Sequence, residues 1–172
     1  MTNLGEAVAL LNAGDPAGAE RIALGLLARD SKLGAAAFVA GVAAQARGQR
    51  KTAVERYEQA LANGYEDSEI LRRLGACRAH LGDFTGSVEA LGEAAGHAPD
   101  DARIWNNLAV VEIRLGRTDA AAAHCRKALA LQPDYPAALN NLGIALQHDG
   151  AFSEAESLHR KAAELNPGLA DA

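Results

Sequence analysis

Two pairs of adjacent asparagines, Asn106–Asn107 and Asn140–Asn141, have the spacing that most clearly suggests binding chemistry in this sequence. The pairs lie 34 residues apart, and apolar residues at helical spacing surround each of them. Asn stabilises a helix less than Ala does, by up to ~0.7 kcal/mol, although this sequence uses Ala freely. A carboxamide carries an acceptor oxygen and two N–H donors, so it can bind a peptide backbone of any sequence. The pairs therefore predict contacts with a polypeptide.

Four arginines form a second group of interest: Arg72, Arg73, Arg103 and Arg114. They stand close together in a chain whose formal net charge is −5. The planar guanidinium group prefers carboxylate or phosphate partners. We therefore expect a positive region that favours an acidic partner, with apolar anchors nearer the N-terminus at Phe38 and Val42. The alternative is a solvated charged face, with the apolar side chains packed against the first helix.

The remaining residues show no pattern typical of catalysis. The five histidines include no pair at the i, i+4 spacing of a metal-binding helix, and neither an acidic cluster nor a cysteine pair completes a site. Glycine-rich phosphate loops are absent as well. The sequence therefore predicts a protein that is not an enzyme and that holds no metal and no cofactor.

Composition excludes further classes of partner. The acidic balance and an aromatic content of only 4% argue against a nucleic-acid binder. No apolar run reaches the roughly 18 residues of a membrane span, and the N-terminus lacks the basic flank of a secretory signal. We expect a cytoplasmic protein, or a periplasmic one if an export signal has been removed. Cys77 and Cys125 are expected to be reduced, unbridged thiols.

The elements that position these residues repeat every 34 residues. Glycine recurs at this interval, followed five residues later by a small residue, and proline marks the far end of the later periods. These positions are Gly14, Gly48, Gly82, Gly116 and Gly150; Ala19, Ala53, Ser87, Ala121 and Ala155; and Pro99, Pro133 and Pro167. Each period predicts one helix that ends at the glycine in a left-handed cap, and a second that begins two to four residues later and ends before the proline. Ser68, Asp100 and Asp134 are expected near the starts of first helices as caps. With no strand-like alternation, the predicted fold is all-α.

The pattern resembles the tetratricopeptide repeat family over nearly the whole chain. The fourth unit shows it best, with Trp105, Leu108, Ala109, Gly116, Ala121, Ala128 and Pro133. The second unit is weaker and has Tyr65 where proline is expected. We predict a single domain, residues 1–172, of five units at 1–33, 34–67, 68–101, 102–135 and 136–169, with a tail at 170–172. The resemblance implies a right-handed superhelical solenoid of antiparallel helix pairs with a concave groove.

In this family, first-helix residues outside the core line the groove. The candidate contacts are Phe38, Val42, Arg72, Arg73, Arg103, Asn106, Asn107, Val110, Arg114, Asn140, Asn141 and Ile144. Asn107 and Asn141 resemble two rungs of the asparagine ladder with which the repeat arm of O-linked N-acetylglucosamine transferases holds a polypeptide. Arg73 and Val39 occupy the equivalent positions of earlier units, so the ladder is short. Alternatively, the asparagines bridge neighbouring helices or face water. The carboxylate clamp of chaperone-binding members is not expected, because Ala76, Ala137 and Asn141 replace its residues.

These observations favour a non-catalytic adaptor that binds a peptide or helix of a protein partner. Two alternatives remain open: the N-terminal arm of a larger glycosyltransferase or sulfotransferase, as in bacterial enzymes, and a small secretion or pilus-assembly chaperone. An apolar patch of Leu4, Val8, Leu11, Phe38 and Val42 predicts either a homodimer or an apolar partner at the N-terminal end. Three glycines within one helix, Gly86, Gly92 and Gly96, are expected to allow close helix packing, with a compliant joint as the alternative.

Overall fold

The computed structural model describes residues 3–166, and these form ten helices and no strand. The helices are α1 (Leu4–Asn12), α2 (Pro16–Arg29), α3 (Gly34–Ala46), α4 (Arg50–Ala62), α5 (Ser68–His80), α6 (Phe84–His97), α7 (Ala102–Arg114), α8 (Thr118–Leu131), α9 (Pro136–His148) and α10 (Phe152–Leu165). The predicted all-α fold of paired helices is confirmed. Two helices lie within each predicted unit. Pro167, the end of the fifth unit and the tail lie outside the described residues.

The chain divides into two compact parts, Met1–Ala90 and Leu91–Ala172, here called the N-terminal half and the C-terminal half. In the N-terminal half, α1 packs on α2, α2 on α3, α3 on α4 and α4 on α5, and α1 also contacts α3. In the C-terminal half, α7 to α10 pack in the same sequential way, and α7 also contacts α9. Each half is therefore built from contacts between helices that are close in sequence.

The recurrent glycines end the first helices as predicted. Gly14, Gly48, Gly82, Gly116 and Gly150 all have positive φ values, between 71° and 84°. After α1, for example, the Gly14 N–H donates to the carbonyl of Leu11, and the Asp15 N–H donates to that of Leu10. The second bond closes a Schellman turn, which satisfies carbonyls that have no partner within the helix. Because each second helix begins two residues after its glycine, this turn also sets where the next helix starts.

The starts of the first helices differ from the prediction by a residue or more. Asp67, not Ser68, caps α5 by accepting from the N–H of Glu69, and Asp101, not Asp100, caps α7 by accepting from the N–H of Arg103. Helix α9 begins at Pro136 without a side-chain cap, so Asp134 is not a cap. Proline needs no hydrogen-bonded N–H at a helix start, which removes the need for one capping bond there.

The helix pairs pack through small residues at the positions that the repeat predicts. Ala19, Ala53, Ser87, Ala121 and Ala155 are all completely buried. The one hydroxyl among them is satisfied, because Ser87 Oγ donates to the backbone carbonyl of Gly75 over 2.7 Å. These small side chains allow the two helices of each unit to approach closely.

Glycines are also matched to large side chains across the helix pairs. A Cβ atom added to Gly41 would lie 2.6 Å from Cε1 of Tyr57, and one added to Gly143 would lie 2.6 Å from Cε1 of His159. The expected packing role is wrong for two glycines of α6, because a Cβ added to Gly92 or Gly96 would meet no atom within 4 Å. Helix packing therefore requires glycine at some of these positions but not in α6.

Candidate partner-binding faces

The candidate contacts lie on the first helices of the repeats, and we call the surface that these helices form the first-helix face of each half. In the N-terminal half, α3 carries Phe38 and Val42, and α5 carries Arg72 and Arg73. In the C-terminal half, α7 carries Arg103, Asn106, Asn107, Val110 and Arg114, and α9 carries Asn140, Asn141 and Ile144. All of these helices are ordered by the repeat packing described above, so the faces are rigid supports rather than loops.

The asparagines of the C-terminal half form a bridge between the two first helices. Nδ2 of Asn141 on α9 donates to Oδ1 of Asn106 on α7 over 2.9 Å. Asn106 is only 6% exposed, whereas Asn141 is half-buried. Without this bond, the buried Asn106 carboxamide would lack a partner, and the protein would lose about 1–3 kcal/mol of stability. Asn141 therefore bridges neighbouring helices, which was the alternative to direct peptide contact.

The other two asparagines have different environments. Oδ1 of Asn140 lies 2.9 Å from Nδ1 of His159 on α10, so this amide is directed toward the second helix of its own unit. Asn107 is half-buried on α7. Val110 and Ile144, one repeat apart like the asparagines, are also half-buried. The C-terminal face thus combines amide groups with partly exposed apolar side chains.

A tryptophan cluster adjoins this face and was not predicted as a site. Nε1 of Trp105 donates to the carbonyl of Pro99 over 2.8 Å, which fixes the indole. His124 of α8 stacks on the ring at 5.6 Å between centroids, and Nζ of Lys127 lies 3.4 Å from the ring centroid. Burial lowers the pKa of His124, and the nearby Lys127 lowers it further, whereas Glu112 raises it. The i, i+3 spacing of His124 and Lys127 on α8 was the sequence signal for this cluster.

The N-terminal face carries an aromatic cluster instead. The Phe38 ring stacks on Tyr65 with centroids 5.3 Å apart, and it packs on the tilted ring of Tyr57 at 6.1 Å. Tyr57 is completely buried, and its hydroxyl donates to Oε1 of Gln45 over 2.6 Å. Burial raises the pKa of Tyr57, against a smaller lowering by Arg73. Tyr65, which stands where the repeat expects proline, therefore completes an aromatic stack with the predicted anchor Phe38.

The arginines of the N-terminal face are held by a carboxylate of the same chain. Glu69 accepts two hydrogen bonds from Arg72, at 2.7 and 2.9 Å, and one from Arg73 at 2.7 Å. Arg73 also donates to Oε1 of Gln45 over 3.2 Å, so it links α5 to α3. An acidic ligand must therefore compete with Glu69, which weakens the attraction that the arginines alone would exert.

The arginines of α7 differ from each other. Arg103 is bound to the carboxylate of Asp101, with the closest contact at 2.7 Å, while Arg114 is exposed at the end of the helix. Glu69 and Asp101 were not predicted from the sequence to pair with these arginines. Their positions three, four and two residues before the arginines were the available signal.

The described residues hold no cluster of three or more His, Cys, Asp or Glu side chains that could bind a metal ion. Cys77 and Cys125 are buried and free, so the prediction of unbridged thiols is confirmed. Burial raises the pKa of both thiols, that of Cys125 to about 12, and keeps them protonated and unreactive near neutral pH. Within residues 3–166, no helix is both long enough and apolar enough to span a membrane.

Solved structures with the same fold include three informative relatives, all near 20% identity. The crystal structure of MamA has a TM-score of 0.85 at 21% identity, with 100% of this chain and 99% of that chain covered. MamA 41-end from Desulfovibrio magneticus RS-1 has a TM-score of 0.85 at 19% identity, with 94% and 92% covered. YrrB, described as a TPR protein with an unusual peptide-binding site, has a TM-score of 0.83 at 20% identity, with 95% and 84% covered.

No curated protein sequence matches this chain. Two family profiles do, and both are described as tetratricopeptide repeat. One matches residues 100–167 and the other residues 38–96, so together they span more than half of the sequence. The glycine turns, the buried small residues and the paired helices lie in the register that this repeat requires. The chain belongs to the tetratricopeptide repeat family.

Proposed function

We propose that this protein is a non-catalytic adaptor that binds an extended peptide or a helical segment of a protein partner on its first-helix faces. The observation that carries the proposal is the composition of the C-terminal face. Half-buried Asn107, Asn141, Val110 and Ile144 recur with the repeat on two adjacent helices, so amide groups alternate with apolar contact surface. Amides suit a peptide backbone, and partly exposed aliphatic side chains suit apolar anchors of a ligand. The description of YrrB as a peptide-binding TPR protein is consistent with this use of the fold.

The N-terminal face, taken by itself, is proposed to favour ligands with acidic and apolar side chains. Phe38 and Val42 supply an apolar surface, and Arg72 and Arg73 supply guanidinium groups that Glu69 already engages. Acidic ligand side chains that displace Glu69 are favoured in low salt, because exposed ion pairs are screened as ionic strength rises. Arg114 offers an exposed cation on the C-terminal face. We assign no role to nucleic acid or to a cofactor, and we place the protein in the cytoplasm.

The test is a selection of random 12-residue peptides on the immobilised full chain, followed by calorimetric titration of the selected peptides. Asn107→Ala and Asn141→Ala should each weaken binding roughly 2- to 10-fold, the net value of one hydrogen bond. Asn12→Ala is the matched control, because Asn12 is an exposed residue at the end of α1 and belongs to neither set of candidate contacts. Arg73→Glu should weaken acidic peptides more than neutral ones, and high salt should reduce the difference.

Stability measurements on the same variants separate binding from structure. Asn107→Ala should leave thermal stability unchanged or slightly raised, because Ala is the better helix former. Asn141→Ala should lower it, because Asn106 loses its donor. The proposal fails if both variants bind the selected peptides normally, since the asparagines would then be structural only.

The N-terminal end carries a proposal of its own, self-association through the patch that Leu4, Val8 and Leu11 form. Val8 is 40% exposed on α1, and Leu4 and Leu11 are half-buried beside it. A second copy that covers these side chains would remove apolar surface from water. Sedimentation velocity should then show a dimer that Val8→Asp converts to a monomer; a wild-type monomer at high concentration refutes the proposal.

A further inference from the structure

The bridge between Asn141 and Asn106 fixes which atoms of Asn141 remain available. Nδ2 of Asn141 points at Oδ1 of Asn106 over 2.9 Å. Nδ2 gives one of its two N–H groups to this bond, so the bond limits rotation of the planar carboxamide and leaves Oδ1 and the second N–H of Asn141 for a ligand. Asn106 is 6% exposed and held in the packing of α7, whereas Asn141 is half-buried and retains access to solvent. The buried amide therefore orients the accessible one.

We infer that Asn106 is a positioning residue for peptide recognition. By accepting the hydrogen bond from Asn141, it presents the Asn141 carbonyl oxygen to the ligand, so this rung accepts a backbone N–H of the bound peptide. The ligand part of this inference rests on the proposed function, whereas the orientation of Asn141 does not.

This assignment sets the chemical class of ligand that the C-terminal face accepts. A proline or an N-methylated residue opposite Asn141 has no N–H for Oδ1 to accept, so it loses one hydrogen bond at that point. The C-terminal face therefore favours an extended segment with a backbone N–H opposite Asn141, independently of the side chain there.

The orientation is tested by NMR on the full chain labelled with nitrogen-15 and carbon-13. A scalar coupling across the hydrogen bond should connect Nδ2 of Asn141 with Cγ of Asn106. It should vanish in Asn106→Leu, which keeps a side chain of similar size without an acceptor. It should persist in Asn106→Asp, because an ionised carboxylate can only accept. A coupling of the opposite sense, from Nδ2 of Asn106 to Cγ of Asn141, or none in the wild type, overturns the inference.

The ligand part is tested with the strongest 12-residue peptide from the random selection, synthesised with an N-methyl group at each position in turn. One position should lose affinity roughly 3- to 10-fold in the wild type beyond the others, the value of one hydrogen bond. That extra loss should disappear in Asn106→Leu and return in Asn106→Asp, with folding of each variant checked by circular dichroism. An unchanged N-methyl profile in Asn106→Leu overturns the positioning role. If no peptide is selected, the proposed function fails and the ligand part falls with it, while the coupling still decides the orientation.

Discussion

In each half of the chain, a residue at the same repeat position links two consecutive first helices. The chemistry of this link differs between the halves. In the N-terminal half, Arg73 of α5 donates to Gln45 of α3 over 3.2 Å. In the C-terminal half, Asn141 of α9 donates to Asn106 of α7 over 2.9 Å. The first donor is charged and shared with Glu69, whereas the second is neutral and meets a buried acceptor. The same repeat position can thus bridge two repeats through either kind of donor, and only the charged donor also forms an ion pair, with Glu69, that salt screens.

The position that faces the small residue of each first helix shows the same contrast. It holds Tyr57 against Gly41 in the N-terminal half and His159 against Gly143 in the C-terminal half. Tyr57 is completely buried and hydrogen-bonded to Gln45, while His159 is half-buried and lies beside Asn140. The second and fifth units thus share the close approach of a ring and a glycine, but the ring is more buried in the second unit than in the fifth.

The largest expected effect comes from removing these rings. Tyr57→Ala should lower the free energy of unfolding by about 3–5 kcal/mol, as for other large aromatic residues removed from a core. His159→Ala should cost less, because the ring is half-exposed and loses about one hydrogen bond, worth roughly 0.5–1.5 kcal/mol net, with some packing. Urea unfolding followed by circular dichroism measures both. Phe152→Ala is the control, since Phe152 is 69% exposed and should contribute little to stability. Equal losses of unfolding free energy in Tyr57→Ala and His159→Ala would contradict the difference in burial between the halves.

Glycine substitutions sharpen the comparison at intermediate size. Gly41→Ala should destabilise by about 1–3 kcal/mol, because its Cβ would lie 2.6 Å from a ring that is fully enclosed. Gly92→Ala should instead stabilise by about 0.4–1 kcal/mol, because no atom lies within 4 Å and the unfolded chain loses freedom. Thermal unfolding of the two variants should shift in opposite directions. A destabilised Gly92→Ala would mean that α6 needs flexibility or space at this point.

The smallest expected effect is a pH dependence in the C-terminal half. Because burial lowers the pKa of His124 in the folded protein, the unfolded chain binds the proton more readily. The stability that neutral His124 contributes is complete above about pH 6.5 and is lost as the pH falls toward its folded pKa. The loss is modest, since the ring is half-exposed. His124→Gln should flatten the acid limb of a stability profile, measured by urea unfolding of the variant and the wild type between pH 7.5 and 5; an acid limb as steep as that of the wild type would contradict this prediction.

The repeat architecture could be predicted from the sequence because its determinants are local. Gly14 and its equivalents need a positive φ, and the small residues after them need burial, so the period alone located both helices of each unit. The capping residues of α5 and α7 differ from the predicted ones by one position, because two neighbouring side chains near the start of each helix can accept a hydrogen bond, as Asp100 and Asp101 can. The backbone conformation decides which of the two accepts the capping hydrogen bond.

The contacts of the candidate faces were harder to predict. The asparagine stripe was visible, but the pairing of Asn141 with Asn106 depends on how α9 is rotated against α7, which no local pattern encodes. The binding of Arg72 and Arg73 to Glu69 follows i, i+3 and i, i+4 spacing and was available from the sequence.

The sequential packing of the helices has a consequence for how the chain reaches its fold. Within each half, every helix contact described above joins helices that are adjacent or next but one along the chain. Native contacts therefore close short loops, which is the property that makes helical proteins fast folders. Helices α3 and α4, for example, can pack on each other before the later units have been synthesised. Folding can thus advance along the nascent chain during translation, with each new helix completing the apolar surface of the one before it.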